Sequence, residues 1–111
     1  MLASIQSKLL TLSTALVSIP GLSVGHYHNH KQTGDYCVWA EDTESNRVNG
    51  DNVKQAQTLQ GTVDFFTKTE FNPIVDQIQE AMNIAEIAWY LSSVQYEDET
   101  GYIHYEWVFE V

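Results

Sequence analysis

The chain has 111 residues, 43% hydrophobic and 12% aromatic, a length that suits one compact domain spanning 1–111 and leaves no room for a second. Fifteen Asp and Glu against five Lys and Arg give a formal net charge of −10, which disfavours wrapping nucleic acid by phosphate neutralisation. The charged share, 18%, sits beside a normal apolar share, so composition excludes disorder as well.

Leu2, Ile5, Leu9, Leu12 and Leu16 recur at steps of three and four, which predicts an amphipathic helix over about residues 2–16. Ser4, Gln6, Ser7, Lys8, Thr11, Ser13 and Thr14 interrupt the apolar run, so the segment does not read as a secretory leader. No stretch reaches the ~18 apolar residues of a membrane-spanning helix, and a soluble protein with no membrane partner is expected. Ile19-Pro20-Gly21 ends the helix, because proline disfavours helical backbone in the residue before it.

The period then switches to two. Residues 23–28 and 35–42 read as short strands separated by a turn at Lys31-Gln32-Thr33-Gly34. Residues 43–57 are almost devoid of apolar side chains and contain Asn49-Gly50, the signature of a long loop or a projecting hairpin. Residues 58–68 form a strand with Val63, Phe65 and Thr67 on one face and Thr62, Asp64 and Phe66 on the other. Asn72-Pro73 opens a second helix, with Asn as N-cap, Pro at the first helical position, and Ile74, Val75, Ile78, Ala81 and Met82 as its apolar face. It ends near Asn83.

Residues 89–97 and 102–111 close the chain as a β-hairpin around Asp98-Glu99-Thr100-Gly101. Ile103, Tyr105, Trp107, Phe109 and Val111 line one face of the last strand, and His104, Glu106, Val108 and Glu110 the other. There is no internal repeat. The order α-β-β-β-α-β-β predicts an α+β fold, a largely antiparallel sheet with two helices on one face.

Few residues suggest chemistry. His26, His28 and His30 alternate, so in an extended strand all three imidazoles point one way, spaced ~6.5–7 Å, a row suited to zinc with Cys37 or Glu41 as a further ligand. The alternative is the solvent face of an edge strand ending in a turn, and no metal site is assigned. Cys37, the only cysteine, reads as a small buried hydrophobe; it has no disulfide partner, which points to assembly inside a cell. Glu97, Asp98 and Glu99 at a hairpin tip and Asp42, Glu44 and Asp51 around the long loop lack calcium-loop spacing, and solvated carboxylates do not make an acid–base pair. No nucleophile elbow or phosphate-binding glycine loop occurs, so no catalytic residue, cofactor or enzymatic activity is expected. Tyr90, Tyr96, Tyr102, Tyr105 and Trp107 concentrate in the final hairpin, as core on one side or interface on the other.

The strand Gln60-Gly61-Thr62-Val63-Asp64-Phe65-Phe66-Thr67-Lys68, the helix opening Asn72-Pro73-Ile74-Val75-Asp76-Gln77-Ile78-Gln79 and the closing hairpin from Ser93 to Val111 resemble small tail proteins of long-tailed bacteriophages. Over nearly its full length the chain is similar to the tail terminator, or tail-completion and head–tail joining, family. That resemblance implies a structural virion protein of the tail or neck, assembled in the bacterial cytoplasm. It also implies a ring, commonly hexameric, that caps the tail tube, ends its polymerisation and meets the head connector. Its partners are then further copies of itself, the tube protein and the connector, with DNA only passing through the lumen. An acidic protomer suits that passage, because like charge disfavours phosphate contact; the acids of 42–51 and 97–99 are the candidates to face the lumen. The polar segment 43–57 is the candidate arm that orders against a neighbour or the tube, with Thr43, Glu44, Asn46, Arg47, Asn49, Asp51, Asn52 and Lys54 as interface residues. Alternatives are another neck or head-completion protein, a small acidic inhibitor-like module for a basic partner, and a metal enzyme built on the three histidines.

Overall fold

A leucine stripe, two aromatic strands and a short apolar helix face must all be buried against one another, and they determine the architecture. The computed structural model describes residues 4–31, 33–50 and 53–111, with the backbone alone placed at 46–50 and 53–56. Its elements are α1 (Ile5–Val17), β1 (Ser23–His26), β2 (Tyr36–Gly50), β3 (Val53–Thr67), α2 (Ile74–Ile84), β4 (Ala88–Glu97) and β5 (Tyr102–Glu110). The strands form one sheet in the order β1-β2-β3-β5-β4, antiparallel except for the β1–β2 pair. The fold is α+β.

One sheet face carries Cys37, Trp39, Val63, Phe65, Trp107 and Phe109, which bury Leu9, Leu12, Leu16 and Ile19 from the α1 side and Ile78 and Met82 from α2. Gly61 belongs to this face for a steric reason. A Cβ there would overlap the Ala40 carbonyl oxygen and the Phe109 ring, so only glycine lets that ring lie across β3. The indole N–H of Trp107 donates to Gln79 Oε1 at 3.1 Å, so the largest buried ring is not left with an unpaired donor.

α1 starts at Ile5 behind the N-cap Ser4, and α2 starts at Ile74 with Pro73 as its N-cap, one residue later than the expected Asn72 cap with Pro73 in the first helical position. Ser4 Oγ accepts from Ser7 N at 3.3 Å, and Asn72 Oδ1 accepts from Ile74 N at 2.9 Å. Asn72 also ties α2 to the sheet. Its Nδ2 donates to Asp35 Oδ2 at 2.9 Å and to Thr67 Oγ1 at 3.0 Å, while Thr67 Oγ1 donates to Asp35 Oδ1 at 2.7 Å.

One sequence expectation needs correction, and one open alternative is decided. The strand expected over 23–28 stops at His26, and β1 runs parallel to β2 instead of forming a hairpin with it. Tyr27 takes a left-handed backbone (φ 69°), and the chain doubles back beneath β1. A Cβ on Gly25 would overlap the His28 carbonyl oxygen, so glycine permits that return. Buried Asn29 then stitches it down, donating from Nδ2 to the carbonyls of Ser23 (3.2 Å) and Cys37 (3.1 Å).

Residues 43–57, expected as a long loop or a projecting hairpin, take the second form. β2 and β3 continue past the sheet as a two-stranded ribbon, paired from Glu41↔Gly61 up to Gly50↔Val53. β5 leaves β3 at Gln60↔Glu110, with Leu59 and Val111 exchanging a last pair of backbone bonds, so the ribbon beyond has no third strand. Register shifts between Glu41/Thr43, Glu44/Asn46 and Val48/Asn49 bend it. It lengthens the molecule to 52 Å, against 26 and 23 Å across.

Candidate functional site

The row of imidazoles does not form. His26 stacks on Trp39 and on Tyr27, each at 3.9 Å between ring centroids, and its Nε2 lies 2.6 Å from Glu41 Oε1. His28 and His30 meet each other edge-on at 4.7 Å, beyond the point where the chain turns. Tyr27 Oη donates to the other Glu41 oxygen at 2.5 Å. Burial opposes the Glu41 charge, but the hydrogen bonds from Tyr27 and His26 outweigh it and hold the carboxyl below its ordinary pKa. Among the described residues, no group of three or more His, Cys, Asp or Glu is arranged to hold a metal ion.

Cys37 is fully buried in β2, and that burial pushes its thiol pKa far up, so it is an inert part of the core. On the sheet face away from the helices, Tyr36, Phe66 and His104 stack in a row (4.7 and 4.2 Å), and His104 Nε2 lies 2.7 Å from Asp64 Oδ1. Burial raises the Asp64 pKa despite the hydrogen bonds from His104 and Thr62. This polar pair sits within a packed aromatic surface.

What the fold leaves open is its margins. β4 is an edge strand with large apolar side chains on both faces: Tyr90 (60% exposed), Leu91, Val94 and Tyr96 (65%). Between Ala88 and Glu97 it has no Lys and no Pro, two of the usual devices against strand addition, although it does carry a bulge between Leu91 and Ser93. The opposite edge is β1, followed by exposed Tyr27, His28, His30 and Lys31.

Of the expected interface residues, Thr43 is exposed opposite Gln60 and Glu44 half-buried opposite Leu59. By register Asn46 lies opposite Thr58, Arg47 opposite Gln57 and Asn49 opposite Lys54, while Asp51 and Asn52 lie outside the described residues. The ribbon is therefore already paired as strands, and Lys8 Nζ donates to the Gln57 carbonyl at its base (3.2 Å). The acids expected together around a lumen are separated: Asp42 and Glu44 stand at the ribbon base, and Glu97, Asp98 and Glu99 at the opposite end of the sheet.

Charge is also segregated along the chain, a signal legible in the sequence. Residues 69–111 hold nine of the fifteen acidic residues and none of the five Lys and Arg, leaving six acids against five cations in 1–68. A groove of about 800 Å3 between α1 and α2 is lined by Leu10, Ile19, Ala81 and Ile84 together with Asp76 and Glu80. No described helix is long and apolar enough to cross a membrane. Compared with known proteins, the chain matches no protein-family model and no curated sequence.

Proposed function

We propose that this protein is a structural subunit of a phage virion that closes into a ring, a hexamer by the resemblance to tail terminators, on the end of the tail tube. There it ends tube growth and meets the head connector. The observation that carries the reading is the polarity of the protomer: a polar ribbon stands off one end of the sheet and an acidic hairpin tip, Glu97 to Glu99, marks the other. Copies related by rotation about an axis along the strands present all ribbons on one ring face and all acidic tips on the other. Two unlike faces suit two unlike partners, tube and connector. The exposed apolar edge of β4 supplies surface for lateral contact. A neck or head-completion ring built the same way is the nearest variant of this reading.

A second reading, a small acidic module that engages a basic partner, draws on the α1–α2 groove with Asp76 and Glu80 in its lining and on the cation-free stretch 69–111. One experiment separates them. Mass photometry of the purified chain across concentration, with negative-stain imaging after addition of isolated tail tubes, is expected to show discrete rings or caps at one tube end. A monomer that leaves tubes bare and growing contradicts the ring reading and favours the acidic module.

A further inference from the structure

The register of the five strands carries the ring reading one step further, to the seam between neighbouring copies. Ser23 pairs with Tyr36, Tyr36 with Phe66, Phe66 with His104 and His104 with Gln95. Three residues along, His26, Trp39, Val63, Trp107 and Leu91 form a second continuous row. The two edges of the sheet therefore stand at the same height: β1 over 23–26 is level with β4 over 91–95. A copy set beside another by rotation about an axis along the strands, with no shift along that axis, brings one edge against the other. β2 and β5 both run antiparallel to β3 and so share a direction; β1 follows β2 and β4 opposes β5, so the meeting strands are antiparallel.

Resting on the ring reading, we propose that β4 of one copy pairs with β1 of the next, joining the sheets of neighbouring copies into one continuous band. The occupant of the β4 edge is thus a second copy of this chain. Its chemistry fits. Tyr90, Leu91, Val94 and Tyr96, exposed along β4, gain cover from the neighbour's β1 and its exposed Tyr27. The acidic tip at Glu97 to Glu99 comes to the side of the molecule that carries Lys31, His28 and His30, all exposed. Pairing β4 with β4 of another copy sets two cation-free, nine-acid halves together, a like-charge contact that the heterologous arrangement avoids. The heterologous contact also leaves a free edge at each side of any open chain of copies, and only ring closure removes both.

Paired cysteines test the seam, because buried Cys37 does not compete for the cross-link. The double variants Ser23→Cys/Gln95→Cys and His26→Cys/Leu91→Cys, oxidised at concentrations where rings form, are expected to give a covalent ladder that ends at the ring order. The corresponding single variants stay monomeric on a denaturing gel. A companion substitution, Val94→Lys, places a charge on the exposed edge and is expected to raise the concentration needed for rings at least about tenfold with an unchanged melting temperature. Rings that form without any ladder, and that tolerate Val94→Lys, overturn the seam while leaving the ring reading in place. Dimers cross-linked by Gln95→Cys alone overturn it in favour of a β4–β4 contact. Absence of rings and of tube caps in the unmodified protein removes the ring reading and the seam together.

Discussion

The two antiparallel hairpins of the sheet have opposite fates. β4–β5 is closed by a tight turn, with Gly101 at φ 78° and its N–H donating to the Glu97 carbonyl at 2.8 Å, and β5 carries the fully buried Trp107 and Phe109. β2–β3 is anchored in the same way only in its lower half, by Cys37, Trp39, Val63 and Phe65. Beyond Leu59 the apolar alternation stops, the last strand ends, and β2 and β3 continue with only each other for partners. Strand pairing therefore extends beyond the core, and stability does not extend with it, since an isolated two-stranded ribbon is marginal in water.

Truncating the core half tests this contrast most severely. Phe109→Ala or Trp107→Ala should cost about 3–5 kcal/mol in denaturant unfolding, whereas shortening the ribbon above Glu44 should cost less than about 1 kcal/mol. Comparable losses from both would show that the ribbon shares in the core's stability. Gly61→Ala probes the boundary between the two halves. The added Cβ meets backbone at Ala40 and the Phe109 ring, so destabilisation of about 1–3 kcal/mol is expected from the chemical-denaturation midpoint, with fluorescence reporting a moved Trp107 environment. Asn72→Ala removes the hydrogen bond from the Ile74 N–H at the start of α2 and two hydrogen bonds to the Asp35–Thr67 pair, for an expected loss of about 2 kcal/mol. Retained stability there would mean that the network is replaced by water.

The smallest effect is one of pH, at the foot of the ribbon. Glu41 is held below its ordinary value of 4.5, so its contribution to stability is complete above about pH 4.5 and is lost as pH falls through the lower folded-state value. Glu41→Gln should flatten that part of the acid limb of a melting-temperature profile and leave the neutral region nearly level. Asp64 has the opposite sign. Its raised pKa means that ionisation weakens the fold as pH rises from its ordinary 3.8 through the raised value. An unaltered acid limb in Glu41→Gln would show that Tyr27 and His26 do not hold the carboxylate in solution.

What the sequence made legible followed from periodicity. The Leu9, Leu12 and Leu16 stripe, the Ile78 and Met82 face and the alternation through Trp107 and Phe109 each give one element and its buried side, because burial on one face leaves a repeat of 3.6 or 2. The parallel β1 was not legible. Its direction depends on a return of the chain that Gly25, Tyr27 and Asn29 make possible through contacts of the folded state. The ribbon was ambiguous because polar strands that pair only with each other leave no apolar period. The level edges were hidden as well, since they arise from register summed over four strand pairs. The charge segregation that favours one edge meeting the other was in plain view.

The central claim is assembly through those edges, and backbone amide exchange read by mass spectrometry at low and high protein concentration tests it most directly. In the ring, the β4 amides that point away from β5 and the outer amides of β1 become bonded, so exchange in Ala88–Glu97 and Ser23–His26 should slow as mass rises. β5, already flanked by β3 and β4, should exchange at the same rate throughout. A rise in mass with both edge strands exchanging as fast as in the monomer contradicts the account.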